Sequence, residues 1–273
     1  MKQSIYSTGR VATLILLTVF LSSHELFLKT DSYFLGQNEE AQVYLFNGTF
    51  DNSENAITTD RITSAGIKGP EYDFEPKESD YYENGNVTYL RFTTGDSGTY
   101  LAGISTLPRM IELNAADFKE YLEHEGLEHV IADREEKGIG DQLAREKYSK
   151  HVKAVLQVGS SKTDHYMEEL GYPIEFVPLG NPYELKVGNG IRFRLLLRGE
   201  PLKNQGVHIS CRPDGPDPFA EEVRTQTDEN GEFTFKIHQA GHWYVATVHM
   251  AESQEENVDY ESNWATLTFE VAP

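Results

Sequence analysis

The sequence predicts a mainly β protein built from two β-sandwich domains, Ig-like or transthyretin-like, with a helical insertion in the first. Three observations carry this reading. Short runs alternate apolar and polar positions with a period of two, as in Ala265, Leu267, Phe269 and Val271 against Trp264, Thr266, Thr268 and Glu270. Gly-Asn, Gly-Asp and Ser-Gly pairs separate these runs at short intervals. Helical spacing enters only between residues 114 and 150.

The chain opens with Lys2 and Arg10 ahead of an apolar run over 11–21, followed by Ser22 and Ser23. That order is the pattern of a secretory signal peptide over 1–23, and the apolar run is too short to span a bilayer. No cysteine follows it to carry a lipid, so the expectation is a periplasmic or secreted chain with no transmembrane anchor after cleavage. A cut after Ser23 makes His24 the first residue, with a free α-amine beside its imidazole. The amine and Nδ1 of one N-terminal histidine can chelate a single metal, a nitrogen-rich set that copper(II) and nickel(II) favour.

Strands are expected at 25–33 and 41–46, where Leu26 and Leu28 alternate with Phe27 and Lys29, and Val43 and Leu45 with Tyr44 and Phe46. Further strands are expected at 57–66, 89–94 and 99–106, with 71–86 an exposed acidic connection. Asn114 suits the N-cap of a helix carrying Phe118, Tyr121 and Leu122 and ending at Gly126. Leu127, Val130, Ile131 and Arg134 suit a second helix, and Leu143, Ala144 and Tyr148 a third over 141–150, running into a strand at 152–158. His124, His129 and His151 in this insertion show no paired metal spacing and read as surface residues. Pro173, Pro178, Gly180 and Pro182 mark a boundary. The expected organisation is therefore a signal peptide over 1–23, a first domain over 24–180 with its insertion at 114–150, and a second over 181–273. Strands are expected in the latter at 183–187, 191–198, 206–211, 224–227, 231–237, 243–250 and 263–271.

Composition narrows the function. Acidic residues outnumber basic ones 44 to 24 in 273 residues, a net charge of −20. This argues against nucleic acid and anionic membrane surfaces as partners, since both reward positive charge. The single cysteine, Cys211, excludes a disulfide framework and cysteine-rich zinc sites. No GxSxG elbow or HExxH motif is present, so hydrolytic chemistry has no motif to stand on, and the chain is read as a non-enzyme.

The last hairpin supplies the other candidate ligands. His249 ends one strand, and Asp259 and Glu261 lead into the next. Antiparallel pairing would gather an imidazole and two carboxylates at one edge, a plausible transition-metal set. The expected site is thus His24 and His249 as nitrogen ligands, with Asp259 or Glu261 as an oxygen ligand or as the acceptor orienting an imidazole.

Several stretches resemble a bacterial domain-of-unknown-function family of exported proteins that includes periplasmic nickel-uptake substrate-specific components. They are HELFL at 24–28, FKEYLEHEGL at 118–127, AREKYSKHVKA at 144–154, VHM at 248–250 and YESNWATLTFE at 260–270. GVH at 206–208 and TDENGEF at 227–233 are similar to carboxypeptidase-regulatory, transthyretin-like sandwiches. The resemblance implies an exported histidine at the mature N-terminus and a role in handling nickel, cobalt or copper, with a membrane transporter component as a possible partner. It also implies that His249 and Glu261 lie near His24. The competing readings are a non-catalytic envelope module that binds carbohydrate or protein, and an enzyme using a histidine-held copper.

Overall fold

The computed structural model describes residues 25–213 and 219–273; the expected signal peptide and His24 lie outside them. In chain order the first strands are β1 (Glu25–Lys29), β2 (Phe34–Leu35), β3 (Glu40–Gly48), β4 (Ile62–Gly69), β5 (Tyr72–Phe74), β6 (Tyr81–Asn84), β7 (Val87–Thr93), β8 (Gly98–Thr106) and β9 (Arg109–Leu113). Helices α1 (Ala115–Glu125) and α2 (Glu128–Glu136) follow. The remainder is again β: β10 (Ala144–Val158), β11 (Ile174–Pro178), β12 (Gly190–Leu197), β13 (Glu200–Pro201), β14 (Gly206–Pro213), β15 (Val223–Gln226), β16 (Glu232–Lys236), β17 (Gly241–Glu252) and β18 (Tyr260–Val271). The protein is mainly β and of sandwich type.

Three sheets form. The central one runs β15-β14-β17-β18-β10-β8-β4-β5, with β2 and β9 also paired to β10. A second sheet, β1-β3-β7-β6, packs on one face, and a third, β11-β12-β13 with β16 on β12, packs on the other. The alternation of β18 explains how one strand serves both. Thr266 and Thr268 donate to the carbonyls of Leu26 and Leu28 in β1, while Ala265, Leu267, Phe269 and Val271 enter the core shared with Phe176, Phe193 and Phe233. Cys211 is buried in that same core.

The parallel pairing of β10 with β18, from Glu146↔Tyr260 to Ala154↔Thr268, carries the central sheet across the expected boundary at Gly180. Each sandwich therefore uses part of one sheet. The expected third helix over 141–150 is not formed; Ala144 onward is strand. Its buried positions include Glu146 and Lys150, so the apolar alternation that marks a strand is missing there. The first two helices form, α1 as its caps require. Asn114 accepts from the Asp117 amide, and Gly126 closes α1 in the left-handed region at φ 70°. Phe118, Leu122 and Val130 then pack on Val248, Met250, Tyr260 and Trp264 of the central sheet.

Candidate functional site

His249 lies opposite Asn263 in the β17–β18 pairing, two rungs from Ala251↔Glu261, so His249 and Glu261 share a sheet face as diagonal neighbours. Their surroundings are cationic. Lys147 Nζ lies 3.8 Å from Glu261 Oε1 and also engages Glu255. The His249 imidazole is held below its ordinary pKa by burial, with His129 and Arg198 adding to the effect, and its Nδ1 sits 3.1 Å from Gln205 Oε1. Asp259 is used otherwise: its Oδ2 accepts from the Arg145 amide at 2.7 Å. The hairpin thus brings His249 and Glu261 to one face, but Asp259 does not join them.

His24 lies outside the described residues; its covalent neighbour Glu25 opens β1 on the opposite face of the central sheet. There Phe27 of β1 meets the Tyr244 ring edge-on at 5.0 Å, and His208 of β14 stands in register with Ala246, two residues from Tyr244. Burial pushes the Glu25 carboxyl up to about 8, with the negative charges of Glu125 and Glu222 acting in the same direction and Lys150 opposing them.

Two imidazoles stand among these carboxylates. His208 Nδ1 lies 3.2 Å from Glu222 Oε1, and His124 Nδ1 lies 2.9 Å from Glu125 Oε1. Arg224 ties the two pairs together, donating to Glu222 Oε1 at 3.0 Å and to the His124 carbonyl at 3.1 Å. The hydrogen bond from His208 holds the Glu222 carboxyl down to about 2, with Arg224 also contributing. The His124 imidazole is raised, first by its bond to Glu125. A carboxylate on one ring nitrogen fixes the orientation of the other, the usual support of a metal-binding histidine. Among the described residues, however, no three His, Cys, Asp or Glu side chains converge as a complete metal-ligand set.

His208, Glu222 and Glu125 were not among the residues singled out from sequence; His124, read as a surface residue, is exposed, whereas His151, read likewise, is buried at 2% exposure. The α1 C-terminus and the β14–β15 hairpin meet only through the fold, so no spacing in the chain marks them. Among the described residues no helix is long and apolar enough to cross a membrane.

The class this fold defines is a mainly β, sandwich-type protein. Residues 21–251 match the family described as Domain of unknown function (DUF4198), and the chain belongs to that family. No curated protein matches it. Among solved structures it is similar to Salmonella alpha-2-macroglobulin reacted with methylamine, at 9% identity and a TM-score of 0.24, over 90% of this chain and 15% of that one. Escherichia coli alpha-2-macroglobulin gives 10% identity and a TM-score of 0.24, over 92% of this chain and 20% of that one. The D0-D1 domain of intimin gives 9% identity and a TM-score of 0.20, over 90% and 98%. The chain spans a fifth or less of the two macroglobulins, and scores this low carry no argument about function.

Proposed function

We propose that this is an exported, periplasmic metal-binding protein that handles nickel, cobalt or copper and passes it to a membrane transporter component. The observation that carries the reading is the crowding of Glu25, Glu125 and Glu222 around the start of β1, with His124 and His208 each orientated by a carboxylate. A cation is electrostatically welcome there, because it would return the Glu25 carboxyl to its ionised form. His24 precedes this cluster directly, and its free amine and imidazole supply the nitrogen donors that the described residues do not complete. Of the sequence-predicted partners, His249 and Glu261 fit less well, since they lie on the face of the central sheet opposite β1, where Glu25, the neighbour of His24, sits.

The test uses chain exported with its own leader, so that processing sets the terminus. Mass spectrometry should give His24 as the first residue, and calorimetry with Ni(II), Co(II) and Cu(II) should give one site. His208→Ala or His124→Ala should weaken binding about tenfold or more, and His249→Ala by far less. The opposite ranking would move the site to the β17–β18 hairpin. No metal uptake by the exported form would end the reading.

A further inference from the structure

A cleft of about 430 Å³ opens between the loop that follows β3 and the strands β9 and β10, and its wall departs from the charge of the chain as a whole. The protein carries 44 acidic residues against 24 basic ones, yet this wall holds Arg61, Arg109 and Lys150 and no carboxylate. Asn47, Asn55 and Tyr148 supply neutral hydrogen-bonding groups beside them. Lys150 is only 7% exposed and donates to Asn47 Oδ1 at 2.9 Å. The Arg61 guanidinium is anchored on the Leu107 carbonyl at 3.0 Å, while its Nε is buried with no hydrogen-bond partner. Burying that N–H without a partner is costly, and the guanidinium, which also bonds Tyr148, is held among like charges at the cleft wall.

We propose that this cleft binds a small oxyanion, a carboxylate or a phosphate, through Arg61, Arg109 and Lys150. The planar donors of an arginine match either group in bidentate fashion, and the volume suits a ligand of several heavy atoms. The electrostatics agree. The Arg61 pKa is lowered by burial and then by Arg109, and burial brings the Lys150 ammonium down to about 8, so an anion relieves both groups. Lys150 faces Glu25 from β1, Glu125 from α1, and Glu146 and Tyr148 from its own strand, with Arg61 opposing them. The two arginines share no contact with the carboxylate–histidine pairs invoked for metal, whereas Lys150 faces Glu25 and Glu125 of that cluster, so the arginine variants test the anion proposal apart from the metal one.

Metal-free full-length chain is titrated with inorganic phosphate, sulfate and malonate at matched chloride, by calorimetry and by the fluorescence of Trp264, whose ring lies 5.8 Å from Lys150 Nζ. One of these anions should saturate a single site. Malonate alone would identify a dicarboxylate site, and phosphate or sulfate alone a tetrahedral one. Arg109→Ala, at an exposed position, and Arg61→Gln should each weaken binding about tenfold. Lys150→Gln should do the same and remove the fall in affinity above about pH 8. If Lys150→Gln does not fold, the two arginine variants carry the test. Absence of saturation with all three anions, or unchanged affinity in both arginine variants, overturns the proposal.

Discussion

His151 shows how much a single side chain can tie this protein to pH. It is 2% exposed, with Nδ1 2.8 Å from Ser105 Oγ and Nε2 3.1 Å from Ser149 Oγ, and Asn263 Oδ1 lies within 3.3 Å of Nε2. Burial brings its pKa down to about 4, so the folded state holds the ring neutral where an unfolded chain would protonate it near 6.5. Stability from this residue is present above about 6.5 and is lost as pH falls from there to about 4. The full change is on the order of 3 kcal/mol. Melting temperature measured from pH 7.5 to 4 should fall across that window, and His151→Gln should flatten the fall even though the variant starts lower. Glu222 acts in a more acidic window. Its carboxyl is held at about 2 by His208, so its contribution is present above about 4.5 and fades between there and about 2. A carboxylate that keeps its charge to so low a pH stays competent to orientate His208 throughout the range where a metal would bind.

At the scale of elements, β10 is the strand on which the structure turns, and the one least legible in the chain. From Ser149 to Val158 it is buried on both faces, so burial does not alternate, and its buried positions are filled by Glu146, Lys150 and Lys153 as well as by Val152, Ala154 and Leu156. Each charge has a partner supplied by a distant strand or helix: Glu146 accepts from Ser262 and from Tyr121, and Lys153 pairs with Glu175 at 2.9 Å. Sequence periodicity reads hydrophobicity, so partnered charges make a buried strand look like an exposed helix. β11 is hidden for another reason, because Pro173 and Pro178 bracket it and read as breakers. By contrast, β18 and the caps of α1 are legible, since their buried face is apolar and their end residues have local roles. The Lys153–Glu175 pair gives an expectation for this joint. Both side chains are almost wholly buried, and Glu175 also accepts from the Leu170 and Gly171 amides at 2.9 Å. Lys153→Met strands one buried carboxylate and should cost about 3–5 kcal/mol in urea unfolding. Glu175→Leu strands the ammonium and two amides together, so it should cost more than Lys153→Met. The reverse order would mean that the two amides are satisfied elsewhere.

At the scale of the molecule, the central sheet decides how the parts depend on one another. A boundary at Gly180 suits the local run of prolines and glycine, and a chain read from one end to the other suggests two domains that could part there. Yet β18 draws its parallel neighbour from before the boundary, and its two faces serve different sandwiches: Thr266 and Thr268 meet β1, while Leu267 and Phe269 meet the third sheet. Sequence cannot announce such a pairing, because parallel register between residues more than a hundred positions apart leaves no local pattern. The energetic consequence is cooperative. Removing residues 181–273 would leave β10 without β18 along nine paired positions, exposing the backbone groups that β18 satisfies. Excised halves should therefore lack the dispersed amide spectrum of a folded chain. The intact protein should unfold in one calorimetric transition, its van't Hoff and calorimetric enthalpies agreeing. Two resolved transitions, or a well-folded 181–273 fragment, would show that each sandwich holds without the shared strand pair. In that case the cluster of Glu25, His124 and His208, whose members come from both sides of Gly180, would form only when the two sandwiches dock.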